Sequence, residues 1–193
     1  MSNSFESAAK IRQIGGENEV DRFTIRQLGN EIANNLFANL VYSHLQKHNT
    51  LVTLDFISRP LDKYAETFIN RNEIKVYMQN HNSAQAAVAS LIHESSHVDR
   101  HRRRIPQNTQ YEEYVAFRRE EFYKQGRRPT FAQRADLWET AKEQYPELPT
   151  GCLPSFLAKQ ETADRAKFSL QINTSNPETL EKRVFIGWTG NSS

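Results

Sequence analysis

The first long hydrophobic pattern of the chain lies between residues 21 and 45. Its apolar positions recur at steps of three and four, the spacing that places side chains on one face of a helix. These positions are Phe23, Ile25, Leu28, Ile32, Leu36, Phe37, Leu40, Val41 and Leu45. The pattern predicts one long amphipathic helix over the whole range.

Two segments that follow have the character of β-strands. Residues 50–58, TLVTLDFIS, are rich in β-branched and apolar side chains and are closed by Pro60. Residues 72–80, NEIKVYMQN, alternate polar with apolar side chains, which is typical of a strand with one face exposed to water. Both segments are predicted to be strands.

The next pattern predicts a helix that begins after Asn82 and Ser83, which are good N-cap residues. The stretch AQAAVASLIHESSH is rich in helix-favouring alanine and leucine. This helix must end before Pro106, because the residue that precedes a proline disfavours helical backbone.

Three more helices are predicted towards the C-terminus. One spans residues 111–124 and ends at Gly126. Another begins at Thr130, with Gln133 completing a capping box, and stops before Pro146. A further helix is predicted from Pro154, and residues 183–188 are predicted to form a short strand. The order predicts an α+β fold with a small sheet and a helical C-terminal half.

Length and composition limit the number of domains, the class of partner and the kind of metal site. A chain of 193 residues suits one domain over residues 1–193, and the polar residues 1–20 leave room for a flexible start. The net charge of +2 gives no reason to expect an acidic partner, so nucleic acid is disfavoured despite the basic run at residues 100–104. The single cysteine, Cys152, excludes an intramolecular disulfide and a multi-cysteine zinc site.

The N-terminus is polar and lacks the apolar core of a secretion signal, and the sequence contains no apolar run of the ~18 residues that a membrane span needs. The sequence therefore predicts a soluble chain that is made in the cytoplasm without a classical signal peptide.

The chemistry is concentrated in His93-Glu94-Ser95-Ser96-His97, an HExxH motif inside the alanine-rich helix. Residues four apart on a helix lie on nearly the same face, so both imidazoles can bind one ion. Neutral imidazole suits Zn²⁺. Glu94 projects beside that position, where it can act as the general base that takes a proton from water. His93 and His97 are therefore predicted zinc ligands.

A strand followed by a helix that carries HExxH resembles the zincin metallopeptidases. The resemblance implies a zinc peptidase fold in which the strand before the helix is an exposed sheet edge that pairs with an extended peptide. It places that substrate edge at residues 72–80.

The third ligand is harder to assign. Metzincins continue their motif as HExxHxxGxxH, and this chain lacks the glycine and histidine at those offsets. His101 lies ~12 Å along the helix from His93 and ~80° around it, which is too far to share an ion.

The gluzincin pattern offers a glutamate on a following helix, and Glu113, three residues before Ala116, looks like its ExxA motif. Glu113 is therefore favoured as third ligand. Glu112 is the less favoured alternative, and Glu120, Glu121 or the C-terminal third are the places to look if neither binds.

Residues 91–145 resemble, more broadly, metallopeptidase domains at the C-termini of bacterial polymorphic toxins and type VI secretion effectors. The resemblance implies an effector exported by a dedicated secretion system, with a peptide or protein substrate and an immunity or inhibitor protein as partner. The alternatives are a resident cytoplasmic peptidase, or a binding module that holds zinc without catalysis.

Tyr111, Tyr114 and Tyr123 lie near the motif in sequence and are candidates for donating a hydrogen bond to the oxyanion that forms beside the metal. Each by itself is more typical of a core or interface aromatic.

Overall fold

The computed structural model describes residues 11–105, 107–155 and 157. Within this part, four strands and five α-helices follow one another as β1 (Ile11–Ile14), α1 (Glu19–Asn34), α2 (Leu36–Lys47), β2 (Leu51–Asp55), β3 (Ala65–Phe68), β4 (Glu73–Tyr77), α3 (Ala84–Arg102), α4 (Gln110–Gln125) and α5 (Phe131–Gln144). The predicted α+β class, with a small sheet and a helical second half, is confirmed at this level.

The chain divides into two compact units, Met1–Gly151 and Cys152–Ser193. All nine of these elements belong to the first unit, and only residues 152–155 and 157 of the second are described. The helix predicted from Pro154 lies largely outside the described residues, and the strand predicted at 183–188 lies entirely outside them. The prediction of one domain over residues 1–193 stays a prediction.

The single helix predicted over residues 21–45 is wrong at its centre, because Asn35 separates two helices. Asn35 has extended backbone (φ −105°, ψ 113°), and its side chain accepts a hydrogen bond from the backbone N–H of Ala38 at 3.0 Å. An Asn in this role satisfies one of the N–H groups that a helix start leaves without a partner. The hydrophobic pattern runs on across the break because both helices bury their apolar faces in the same core.

The strands form a sheet in the order β1-β2-β4-β3. β1 and β4 both pair parallel with β2, whereas β3 pairs antiparallel with β4. The strand predicted at residues 72–80 therefore exists as β4, but it lies inside the sheet. Its expected role as the exposed edge is wrong, since β3 occupies that edge. β1 and β3 are short strands that the sequence patterns did not predict, and β1 lies in the polar start 1–20.

Helix α3 lies against the inner face of the sheet and is the centre of the fold. Alternate residues of β2 and β4 face it, and they form one buried core with α1, α2 and the apolar side of α3. The core residues of the two strands are Val52, Leu54, Ile74 and Val76. This packing holds α3 rigidly, so the side chains on its opposite side have fixed positions.

The outer face of β2 and β4 carries buried polar side chains that are paired with one another. The Glu73 carboxylate accepts hydrogen bonds from Arg12 at 2.5 Å and from Thr53 at 2.6 Å. Lys75 donates to Asp55 at 3.3 Å. Each buried charge thus has a partner, which removes most of the cost of burying it.

The predicted boundaries of the three later helices are confirmed. Ser83 and Thr130 cap α3 and α5, and the predicted capping box of Thr130 with Gln133 is present. Gly126 ends α4 in left-handed backbone (φ 66°), which glycine adopts without strain. Among the described residues, no helix combines the length with the apolar character that crossing a membrane requires.

Candidate metal centre

Helix α3 places the three residues of the HExxH motif at one side of a cleft. His93 and His97 are one turn apart, and the centroids of their rings are 5.3 Å apart. His93 is buried, with 8% of the residue exposed, and its ring contacts Phe117 of α4 at 4.9 Å between centroids. The His93 ring is therefore held by packing between α3 and α4.

Helix α4 brings Glu113 to the two histidines. One carboxylate oxygen, Oε2, lies 3.3 Å from Nε2 of His93, and the other, Oε1, lies 3.8 Å from Nε2 of His97. One ligand atom from each of the three residues can be chosen so that all lie within 4.8 Å of one another. The structure thus brings together the three residues that the sequence favoured as ligands.

This arrangement fits a zinc ion. Ligands at zinc–nitrogen and zinc–oxygen distances of ~2.0–2.1 Å in a tetrahedral site lie about 3.3 Å from one another. The carboxylate of Glu113 comes close to that spacing through a different oxygen for each histidine, Oε2 at 3.3 Å from His93 and Oε1 at 3.8 Å from His97. Single ligand atoms of the three residues lie within 4.8 Å of one another, so a bound ion would draw them slightly closer together. Two imidazole nitrogens and one carboxylate oxygen are also a donor set typical of catalytic zinc.

The opposite ring nitrogens of the two histidines meet two other glutamates of α4. Nδ1 of His97 lies 2.9 Å from Glu112, and Nδ1 of His93 lies 3.4 Å from Glu120. A carboxylate that accepts from Nδ1–H fixes the tautomer of an imidazole and leaves Nε2 free to bind a metal. Glu112 therefore holds His97 by a hydrogen bond and Glu120 lies within ion-pair distance of His93, and both Nε2 atoms are left on the Glu113 side.

Glu112 is fully engaged away from the position of the ion. Its carboxylate also accepts the backbone N–H of Asn108 at 2.6 Å, and it lies 3.9 Å from Nε of Arg100. Only 2% of Glu112 is exposed. The geometry therefore favours Glu113 over Glu112 as ligand, and Glu120 becomes a supporting residue. Sequence reasoning had considered Glu120 only as a substitute ligand.

The charges of the cluster are strongly coupled. Burial acts to lower the pKa of His93, but the carboxylates of Glu113 and Glu120 outweigh burial and raise it to about 10. Burial acts to raise the pKa values of Glu113 and Glu120, and the contacts with His93 reverse this, so both lie below their ordinary value. The cluster thus stabilises a positive charge at this position. In the metal-free protein that charge is the proton on His93.

Glu94, the predicted general base, turns towards the edge strand. Its Oε2 accepts a hydrogen bond from the hydroxyl of Thr67 at 2.6 Å, and its backbone carbonyl accepts from the same hydroxyl at 3.2 Å. Glu94 lines the cleft together with His93, His97 and Glu113. The structure therefore places a carboxylate that binds no cluster histidine beside the candidate metal position.

The cleft has a volume of about 640 Å³. Ala65, Glu66 and Thr67 of β3 form one wall, and residues of α3 and α4 form the floor and the other wall. Tyr145, which follows α5, also lines it near Glu113. Burial, followed by the charges of Glu113 and Glu94, raises the pKa of the Tyr145 phenol, so this group stays protonated at neutral pH and can donate a hydrogen bond.

None of the three tyrosines considered from the sequence is among the residues that line this cleft. Tyr114 is buried against Trp138, and Tyr123 donates to Glu31 at 2.6 Å. Tyr111 lies beside the guanidinium of Arg100. Two other tyrosines, Tyr64 and Tyr145, do line the cleft. Tyr145 is 48 residues from His97 in sequence, and no local pattern marked it.

Other residues singled out in the sequence lie outside the cluster. His101 is exposed near the end of α3, and Cys152 is exposed. Within the basic run 100–104, Arg102 donates to Thr50 at 2.7 Å and Arg103 pairs with Asp99 at 3.1 Å. These two arginines make intramolecular contacts, and the expectation that the run is not a nucleic-acid surface stays a prediction.

Comparison of the chain with protein-family models, with curated proteins and with solved structures gives no match.

Proposed function

We propose that this protein is a zinc-dependent metallopeptidase of the zincin type, with His93, His97 and Glu113 as ligands and Glu94 as general base. The observation that carries the proposal is the convergence of both Nε2 atoms on the carboxylate of Glu113, with contacts of 3.3 and 3.8 Å. The outward-facing Nδ1 atoms lie beside two further carboxylates, an arrangement that zinc-binding histidines usually have.

The ligand count supports a catalytic role over a structural one. Among the described residues, the candidate ligand cluster has three members, and a structural zinc site usually has four protein ligands. Three ligands leave one coordination position for water or substrate, and the cluster opens into a cleft large enough for a peptide segment.

Zinc, when bound, supplies a Lewis acid that makes water nucleophilic at neutral pH and polarises the scissile carbonyl. Glu94 would accept one proton from water as the water oxygen bonds to the scissile carbon, and would then deliver that proton to the amide nitrogen, which leaves as the amine when the C–N bond breaks. Tyr145, still protonated at neutral pH, can donate a hydrogen bond to the oxygen on which negative charge develops.

The substrate of this proposal is an extended peptide that pairs with β3. The carbonyl of Tyr64 accepts from the N–H of Tyr77 at 3.0 Å, and the next pair along the ladder is Ala65 with Val76. Hydrogen-bonded and non-hydrogen-bonded pairs alternate in an antiparallel ladder. The N–H and C=O groups of Ala65 and Thr67 therefore face away from β4, towards the cleft, where a peptide strand can bind them.

The biological setting that we propose is that of a secreted bacterial effector. The resemblance of residues 91–145 to toxin metallopeptidase domains supports it, and it implies a protein target and an immunity or inhibitor protein. A resident cytoplasmic peptidase would use the same site. The two settings are distinguished by whether production of the protein in the compartment of its target is toxic.

The experiment that tests the proposed function measures zinc content and hydrolysis together. Zinc is determined by elemental analysis before and after chelation, and cleavage is followed on a panel of peptides and cell-wall material. His97→Ala should lose zinc and activity, whereas His101→Ala, a histidine one turn further along the same helix, should keep both. Activity that survives complete removal of metal would reject the proposal.

A further inference from the structure

We propose that Thr67 is a positioning residue that holds the general base, so that the strand that binds the substrate backbone also sets the Glu94 carboxylate. This inference rests on the proposed function. Thr67 belongs to the edge strand β3, and its hydroxyl reaches across to α3 to donate to Oε2 of Glu94 at 2.6 Å.

The contact restrains Glu94 at two points. The same hydroxyl oxygen lies 3.2 Å from the backbone carbonyl of Glu94 and 2.6 Å from its Oε2, so the side chain bends back towards its own main chain. A glutamate has several rotatable bonds, and a free one would sample many rotamers beside the metal. Once Oε2 is held by Thr67, Oε1 is the oxygen left to take the proton from water.

Thr67 has two separable parts. Its backbone N–H and C=O face the cleft, because Thr67 and Ile74 are a non-hydrogen-bonded pair of the ladder. Its side chain faces α3 and Glu94. A change of side chain therefore leaves substrate pairing intact, and the effect should appear in kcat with KM unaltered. A residue that served only substrate binding would give the reverse result.

The first test compares Thr67→Val with Thr67→Ser. Valine has nearly the same shape as threonine and suits a strand, but it cannot donate. A hydrogen bond to a charged group is strong enough for its loss to lower kcat about 10- to 100-fold in Thr67→Val. Thr67→Ser keeps the hydroxyl and should stay within about threefold of the wild type. Equal kcat in wild type and Thr67→Val would overturn the inference, and so would equal losses in both variants.

The second test needs no catalysis. Urea unfolding of the metal-free protein is measured for the wild type, Thr67→Val, Glu94→Ala and the double variant, which form a double-mutant cycle. If the two side chains interact, Thr67→Val should shift the midpoint less than half as far in the Glu94→Ala background as in the wild type. An equal shift in both backgrounds would show that Thr67 acts without Glu94, and it would overturn the inference.

The two tests separate the possible failures. If the wild type cleaves peptides and Thr67→Val matches it, the positioning role is rejected and the proposed function stands. If the zinc-loaded wild type cleaves nothing while the unfolding cycle shows the interaction, the contact is structural, and both the function and the positioning role are rejected.

Discussion

His97 lies between two adjacent glutamates and presents a different ring nitrogen to each. Its Nδ1 is 2.9 Å from Oε1 of Glu112, and its Nε2 is 3.8 Å from Oε1 of Glu113. Successive residues of a helix point about 100° apart, so α4 can hold one side of the imidazole with Glu112 and offer a ligand on the other side with Glu113. Two neighbouring residues of the same type thus have different expected roles.

This difference predicts unequal effects on zinc binding. Glu113→Ala removes a ligand and should weaken zinc affinity by several orders of magnitude. Glu112→Ala removes only the support of His97 and should weaken it about 10- to 100-fold. A competition titration against a chelator of known affinity measures both. A larger loss in Glu112→Ala than in Glu113→Ala would show that the ligand has been assigned to the wrong glutamate.

Zinc should also stabilise the fold, because the cluster joins two helices that are far apart in the unfolded chain. Metal at 100 times its dissociation constant adds about 2.7 kcal/mol to the free energy of unfolding if only the native state binds it. Thermal unfolding with and without a chelator measures the change. His101→Ala should keep the zinc-dependent rise in melting temperature and His97→Ala should lose it, so a rise of equal size in both variants would contradict the assignment.

A prediction for the sheet concerns Asp55, at the end of β2. Its carboxylate accepts the N–H groups of Ile57 and Ser58 at 2.9 and 2.8 Å and pairs with Lys75 at 3.3 Å. Burial acts to raise the Asp55 pKa, but these donors outweigh it and hold the pKa below its ordinary value. The resulting stability is present above the ordinary pKa of 3.8 and is lost as the pH falls through the lower folded value.

Asp55→Asn should therefore destabilise the protein by about 1 kcal/mol at pH 7, since an amide carries no charge for the N–H groups and the lysine. The difference should shrink as the pH falls below 3.8, where the wild-type carboxylate takes up its proton. Urea unfolding at several pH values measures it. A difference that does not change with pH would mean that the charge of Asp55 has no part in its effect.

The sequence predicted best those features that depend on neighbouring residues. The bounds of α3, α4 and α5 followed from caps, glycine and proline, which act within a few residues. The pair His93 and His97 followed from the helical repeat. The break at Asn35 was missed because a cap in the middle of a continuing hydrophobic pattern looks like one polar position of a helix.

Apart from Glu113, which the gluzincin resemblance suggested, the features that depend on distant pairing were not predicted from the sequence. β3 has the sequence AETF, and all four of its residues are half-buried, so it lacks the alternation that marks a strand. Its position at the edge follows from its pairing with β4, as does its contact with α3. Tyr145 and the supporting role of Glu120 likewise depend on how α4 and α5 pack, which no local spacing encodes.

The measurement that tests the account most directly is made on Glu94→Gln. The amide is nearly isosteric but cannot accept the proton, so zinc content and melting temperature should match the wild type while peptide cleavage falls at least 10²- to 10⁴-fold. If the wild type is toxic in the compartment of its target, this variant should not be. A variant that holds one zinc and keeps full cleavage or full toxicity would contradict catalysis by this motif, and the protein would instead be a zinc-containing binding module.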